Sequence, residues 1–186
     1  MSVLSNQAAV LLAISDRPVG QEEILLTLRA RHLNTHSGEV AFPGGKWEPG
    51  DSDLSATALR EAQEEVGLVP ESVQIMGELR PSFTRRGTRV TPYVGKVPAL
   101  CSLEPNPAEL AEMFWFPLEE LKADKRVRTD IFVGAKGEYW APVYEYLGYT
   151  IWGFTARVLV DFLACFYGIK LERKHTAPEI RYKPRS

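Results

Sequence analysis

The run Arg60-Glu61-Ala62-Gln63-Glu64-Glu65-Val66-Gly67-Leu68 holds the densest set of chemistry-bearing side chains in the sequence. On a helix, Glu61 stands one turn from both Glu64 and Glu65, at i,i+3 and i,i+4, so three carboxylates crowd one edge. Like charges so placed repel by about 0.2–0.5 kcal/mol per pair. A divalent cation reverses that sign, because Mg²⁺ takes carboxylate oxygens and waters and is often shared with substrate phosphates. Arg60 lies four residues before Glu64 and can hold a carboxylate in place. The same charges also suit a solvated acidic face of a surface helix, so the triplet alone leaves both readings open. Gly44-Gly45 upstream and Gly67 downstream frame the run as a designed unit rather than a chance cluster.

The positioning elements follow from the pattern around it. Residues 54–66 predict a helix, with Leu54, Ala58, Leu59, Ala62 and Val66 at helical spacing. Ser52, Asp53 or Ser55 supplies its cap, and Gly67 stops it. Residues 8–14 and 23–28 read as strands joined by a turn at 16–20, and 40–42 as a short strand ending at Pro43-Gly44-Gly45. Residues 46–53 read as a loop. Further strands are expected over 73–79 and 90–97, then a loop at 105–107. Residues 108–115 lead into Phe116-Pro117-Leu118, and 118–122 suit a short helix. A hairpin turns around Gly148 between 139–146 and 150–151, and the last helix covers most of 151–167. This order predicts an α/β (α+β) domain around a mixed sheet, over residues 1–170. Residues 171–186 form a basic, Pro-containing tail, expected to be loosely held.

Composition narrows the function classes. The chain has 186 residues, enough for one domain with its own core. Lys and Arg total 22 against 24 Asp and Glu, so a general affinity for nucleic acid is not indicated. The basic residues Lys122, Lys125, Arg126 and Arg128, and Arg173, Lys174, Arg181, Lys183 and Arg185, lack the aromatic interleaving of a stacking platform and read as a solvated face. Cys101 and Cys165 form no CxxC pair and have no zinc spacing, so they read as two reduced, mostly buried thiols of a cytoplasmic protein. The apolar run at 8–14 is too short for a membrane span and has no basic residue before it, so no membrane partner is expected.

The segment from Gly45 to Leu68 resembles the box of the Nudix hydrolases, with Arg60, Glu61, Ala62, Glu64, Glu65, Gly67 and Leu68 matching. One departure stands out. The usual count from Gly to Arg is fourteen steps, and here it is fifteen. The position of the usual upstream Glu is Ser52, and the nearest acid is Asp51, whose role the extra residue loosens. A second likeness narrows the branch. Thr27, Arg29, Ala30, Gly38, Phe42, Pro43, Gly44 and Gly45 are similar to the signature of the coenzyme A pyrophosphatase branch, except that Asn34 stands where that signature has Arg. The stretches Thr57–Ala62, Asn106-Pro107-Ala108-Glu109 and Ile151–Arg157 fit the same branch.

These resemblances imply an α/β/α sandwich and metal-dependent hydrolysis of a diphosphate. Mg²⁺ or Mn²⁺ would be held by Glu61, Glu64 and Glu65, with the Gly45 backbone close enough to contribute. Arg60 would hold the carboxylates, and Glu64 or Glu109 would be the general base, with Glu112 the weaker alternative. The substrate implied is a small nucleotide derivative like coenzyme A, gripped by Arg29, Arg31, Gly44, Arg85, Arg86 and Arg89. Arg29 and Arg31 equally suit a solvated strand end. Phe83 would offer an apolar wall. A homodimer is allowed. Rival readings are a Nudix hydrolase of ADP-ribose, NADH or nucleoside triphosphates, which Asn34 favours, and a non-catalytic nucleotide-binding module, which the retained Glu61, Glu64 and Glu65 disfavour. An RNA-binding or decapping protein is the remote third.

Overall fold

The computed structural model describes residues 6–30, 38–84, 87–134 and 137–182. They form two compact units, residues 1–119 and 120–186.

The first unit is built on a mixed sheet. Strands β1 (Gln7–Ser15), β2 (Glu23–Arg29), β3 (Val40–Ala41), β4 (Gly44–Lys46), β5 (Gln74–Glu78), β6 (Ser82–Phe83), β7 (Arg89–Val97) and β8 (Leu110–Pro117) contribute. The central path runs β3-β2-β1-β7-β5, with β4 on β1, β6 on β7 and β8 on β2. β1 lies parallel to β7 over its whole length, and its remaining partners are antiparallel. The alanines and leucines of β1 are almost wholly buried, as expected for a central strand covered on both faces.

Helix α1 (Leu54–Val66) packs on this sheet. Asp53 caps it by accepting from Ala56 N–H at 2.9 Å, and Gly67 closes it at φ 70°. Its apolar side, Leu54, Ala58, Ala62 and Val66, buries against Ala9, Leu11, Ala13, Leu25, Val97 and Leu110. Each large side chain so buried contributes about 1.5–3 kcal/mol, which pins the rotation of the helix and therefore the direction of its acidic edge.

The short helix α2 (Leu118–Lys122) spans the junction of the units. The second unit holds β9 (Arg128–Gly134), β10 (Gly137–Tyr146), β11 (Tyr149–Ile151), α3 (Gly153–Tyr167) and β12 (Glu179–Tyr182), with strand order β11-β10-β9-β12. The mixed α/β class is as expected; two local expectations are corrected. Gly44–Lys46 is a strand on β1 rather than turn and loop, because Gly44 has no Cβ to meet the Ala9 carbonyl and Val10. β9, too charged to stand out as a strand, pairs with β10. Residues 179–182, expected to be loosely held, lie parallel to β9. Among the described residues, no helix is long and apolar enough to cross a membrane.

Candidate active site

The acidic edge of α1 faces β2, β4 and the turn before β8, all within the first unit. Glu65 is the surprise: its side chain is 2% exposed. Gly44 N–H donates to its Oε2 at 3.1 Å, and the Arg29 guanidinium stands 3.5 Å from Oε1. Two partners do not offset the loss of water. Burial is the leading cause that pushes this carboxyl up to about 7. Arg29 is not consumed by the contact, since its buried Nε has no partner among the described residues.

Glu61 lies one turn back, also mostly buried, and desolvation likewise raises its pKa. Its carboxylate fills the space where Gly45 has no side chain: a Cβ there would sit 2.3 Å from Oε1. Glycine at 45 is therefore what leaves the Glu61 carboxylate in that place. Glu64 is about half exposed, with Oε2 held by Arg60 at 3.0 Å. Glu109, in the turn before β8, is near enough that its charge raises both Glu61 and Glu65. The structure thus brings Glu61, Glu64, Glu65, Arg60, Glu109, Arg29, Gly44 and Gly45 together.

Arg60 is the organiser. It donates to Glu61 Oε1 at 3.1 Å, to Glu64 Oε2 and to the Lys46 carbonyl at 3.0 Å. Its other side grips Asp51 with two bonds, Nε to Oδ1 at 2.9 Å and Nη2 to Oδ2 at 3.1 Å. Asp51 also accepts from Thr57 Oγ1 at 2.8 Å and from Glu48 N–H at 3.0 Å. These bonds, Arg60 first, hold the Asp51 carboxyl down to about 2. The expectation that the extra loop residue loosens Asp51 is corrected. Glu48-Pro49-Gly50-Asp51 is a tight turn, with Asp51 N–H on the Glu48 carbonyl at 2.9 Å. That turn absorbs the added residue and aims the acid at Arg60. The Pro-Gly pair was the available signal; Thr57, fully buried, belongs to a branch-like stretch that does not point to this contact.

Of the other expected site residues, Arg89, Phe83 and Glu112 are described. Arg89 opens β7 and donates to Gln7 Oε1 at 2.7 Å. Phe83 is exposed, and Glu112 faces outward on β8. Arg31, Asn34, Arg85 and Arg86 lie outside the described residues. The thiols are less buried than expected, with Cys101 partly accessible and Cys165 exposed. Of the basic residues near 125, Arg126 is buried on Asp124 and Arg128 pairs with Asp130 at 2.8 Å, while Lys125 is exposed and pairs with Glu120 at 2.8 Å.

Among the described residues, no three His, Cys, Asp or Glu side chains stand ready-made around a metal position. Arg60 and Arg29 occupy the carboxylates instead. The donor set still fits a hard divalent cation. Glu61 and Glu65 are desolvated oxygen donors, both raised by neighbouring negative charge, and a cation would relieve that repulsion.

A model of the NUDIX domain matches residues 5–133. The chain belongs to the Nudix family. The uncharacterized Nudix hydrolase NudL of Photorhabdus laumondii is 41% identical over 156 residues, covering 83% of this chain and 82% of the relative. NudL of Salmonella paratyphi B is 40% identical over 167 residues, covering 89% and 84%. Among solved structures, the Nudix hydrolase RenU of M. smegmatis aligns with TM-score 0.53 and 25% identity, over 62% of this chain and 73% of that one. A C. elegans Ap4A hydrolase binary complex shares the fold, with TM-score 0.51 and 24% identity, over 60% and 80%. The chain is therefore a Nudix enzyme of the diphosphatase type. Nudix hydrolases generally use divalent ions such as Mg²⁺ or Mn²⁺.

Proposed function

We propose that this Nudix hydrolase cleaves the pyrophosphate bond of coenzyme A or a derivative, giving 3′,5′-ADP and 4′-phosphopantetheine or its acyl form. The observation that carries the reading is where the branch-like signature falls. Arg29 and Gly44, both part of it, are the two groups that touch Glu65. Two residues of that signature therefore sit against a Nudix carboxylate, which supports the coenzyme A reading.

The roles follow from surroundings. Glu61, Glu64, Glu65 and the Gly45 carbonyl would hold the divalent cation, which when bound supplies charge neutralisation and Lewis-acid polarisation at the diphosphate. Arg29, whose buried Nε has no partner among the described residues, is assigned to a substrate phosphate. Glu109 is the better general base, because Glu64 Oε2 is already held by Arg60. Glu109 would take a proton from the attacking water. As the water oxygen bonds one phosphorus, the bridging P–O bond breaks, and its electron pair leaves with the other phosphate. Arg31, Arg85 and Arg86 keep substrate roles on sequence alone.

A product-resolved hydrolysis screen by mass spectrometry tests this. Coenzyme A, acetyl-CoA, oxidised CoA, ADP-ribose, NADH and dNTPs are each offered with Mg²⁺ and with Mn²⁺. The expected result is 3′,5′-ADP plus a phosphopantetheine product, at a rate above that for ADP-ribose or NADH. Faster turnover of ADP-ribose or NADH would overturn the coenzyme A assignment and leave the diphosphatase chemistry standing.

A further inference from the structure

The outer edge of the second unit's sheet carries an unused, self-complementary strand. β12 pairs with β9 alone, and among the described residues no strand lies along its other side. The Pro178 carbonyl accepts from Thr129 N–H at 2.9 Å, so it points inward toward β9. Backbone groups alternate along a strand, so the N–H and C=O of Glu179 and Arg181 point outward. The side chains divide cleanly. Pro178, Ile180 and Tyr182 share one face and are exposed, Ile180 and Tyr182 by 41% each. Tyr182 ends a row of stacked rings, 5.2 Å from Phe132, which lies 4.9 Å from Tyr139. Glu179 and Arg181 share the other face with Glu138 and Arg173, as a neutral group of two acids and two bases.

We infer that β12 is the docking edge for a second copy of this chain, the two strands running antiparallel about a two-fold axis at Ile180. The pleat permits registers that oppose outward-facing residues, and opposite charge selects this one. Glu179 opposes the second copy's Arg181 and the reverse, and these are the residues with outward backbone groups, so they form the hydrogen-bonded pairs. Ile180 opposes itself in the closer, non-hydrogen-bonded position, and Tyr182 opposes the second copy's Pro178, continuing the apolar row. β12 places one acid and one base two positions apart, the spacing that pairs with its own copy. The surface lies within residues 178–182 and is independent of the substrate reading.

Two variants of the full chain test it. In a Cys165→Ser background, Ile180→Cys places two thiols directly opposite at a separation compatible with a disulfide. A mild oxidant is expected to link this variant into a dimer at least about tenfold faster than Arg181→Cys, whose counterpart is Glu179. Ile180→Lys sets like charges face to face at an exposed position. It is expected to melt as wild type while weakening dimerisation in light scattering by about tenfold. A wild-type chain that stays monomeric at every concentration overturns the inference. So does a dimer that ignores Ile180→Lys, or one whose two cysteine variants cross-link equally fast.

Discussion

Asp51 illustrates how a single side chain can govern several others without touching a substrate. It accepts four hydrogen bonds, two from Arg60 and one each from Thr57 and Glu48 N–H. Arg60 in turn fixes Glu61 and Glu64. Asp51→Asn keeps the shape but loses the charge and half the acceptors, so Arg60 is released. Supporting residues of this kind typically affect activity by about 10–100-fold. We expect such a loss in kcat/KM for Asp51→Asn, with circular dichroism showing a folded chain. Activity within twofold of wild type would mean that Arg60 needs no anchor outside the helix. At this scale the sequence was partly legible. The helix motif named Glu61, Glu64 and Glu65, but spacing alone demoted Asp51, because a count along the chain does not register a Pro49-Gly50 turn folding it back.

Among elements, α1 was the most legible, since cap, apolar stripe and stop glycine all agree on Leu54–Val66. β4 was the least. Its Gly44-Gly45 looks like a turn, and only the β1 edge makes it a strand, at a register of Val10 to Gly44 and Ala9 to Gly45. β12 hid for a related reason: Arg181 is neutralised by a partner distant in sequence, Glu138. The close approach of β4 to α1 gives a prediction. In Gly45→Ala the new methyl meets the Glu61 carboxylate, the far end of a flexible side chain, so the fold gives way there first. Thermal unfolding should shift little, while activity falls about tenfold or more as Glu61 is displaced. A large loss of stability with normal specific activity would place the strain in the backbone instead.

For the whole molecule, burying a carboxylate at Glu65 must show in the pH dependence of stability. In the metal-free chain its pKa rises from 4.5 to about 7. The folded state therefore holds a proton that the unfolded state gives up, and stability contributed here falls as pH climbs from about 4.5 toward 7. Asp51 acts oppositely: held at about 2, it stabilises above its unfolded value of 3.8, and that contribution is lost as pH falls toward 2. Gln at position 65 removes the first cost. Metal-free Glu65→Gln should be more stable than wild type at about pH 8 and similar to it at about pH 4.5. Such a pattern would show the carboxylate to be retained at the expense of stability. The proposed reason is catalysis, and the most direct test is the turnover of coenzyme A by Glu65→Gln at saturating Mg²⁺, beside wild type. The account predicts a loss of at least about 100-fold in a fully folded protein. Turnover at the wild-type rate would contradict it.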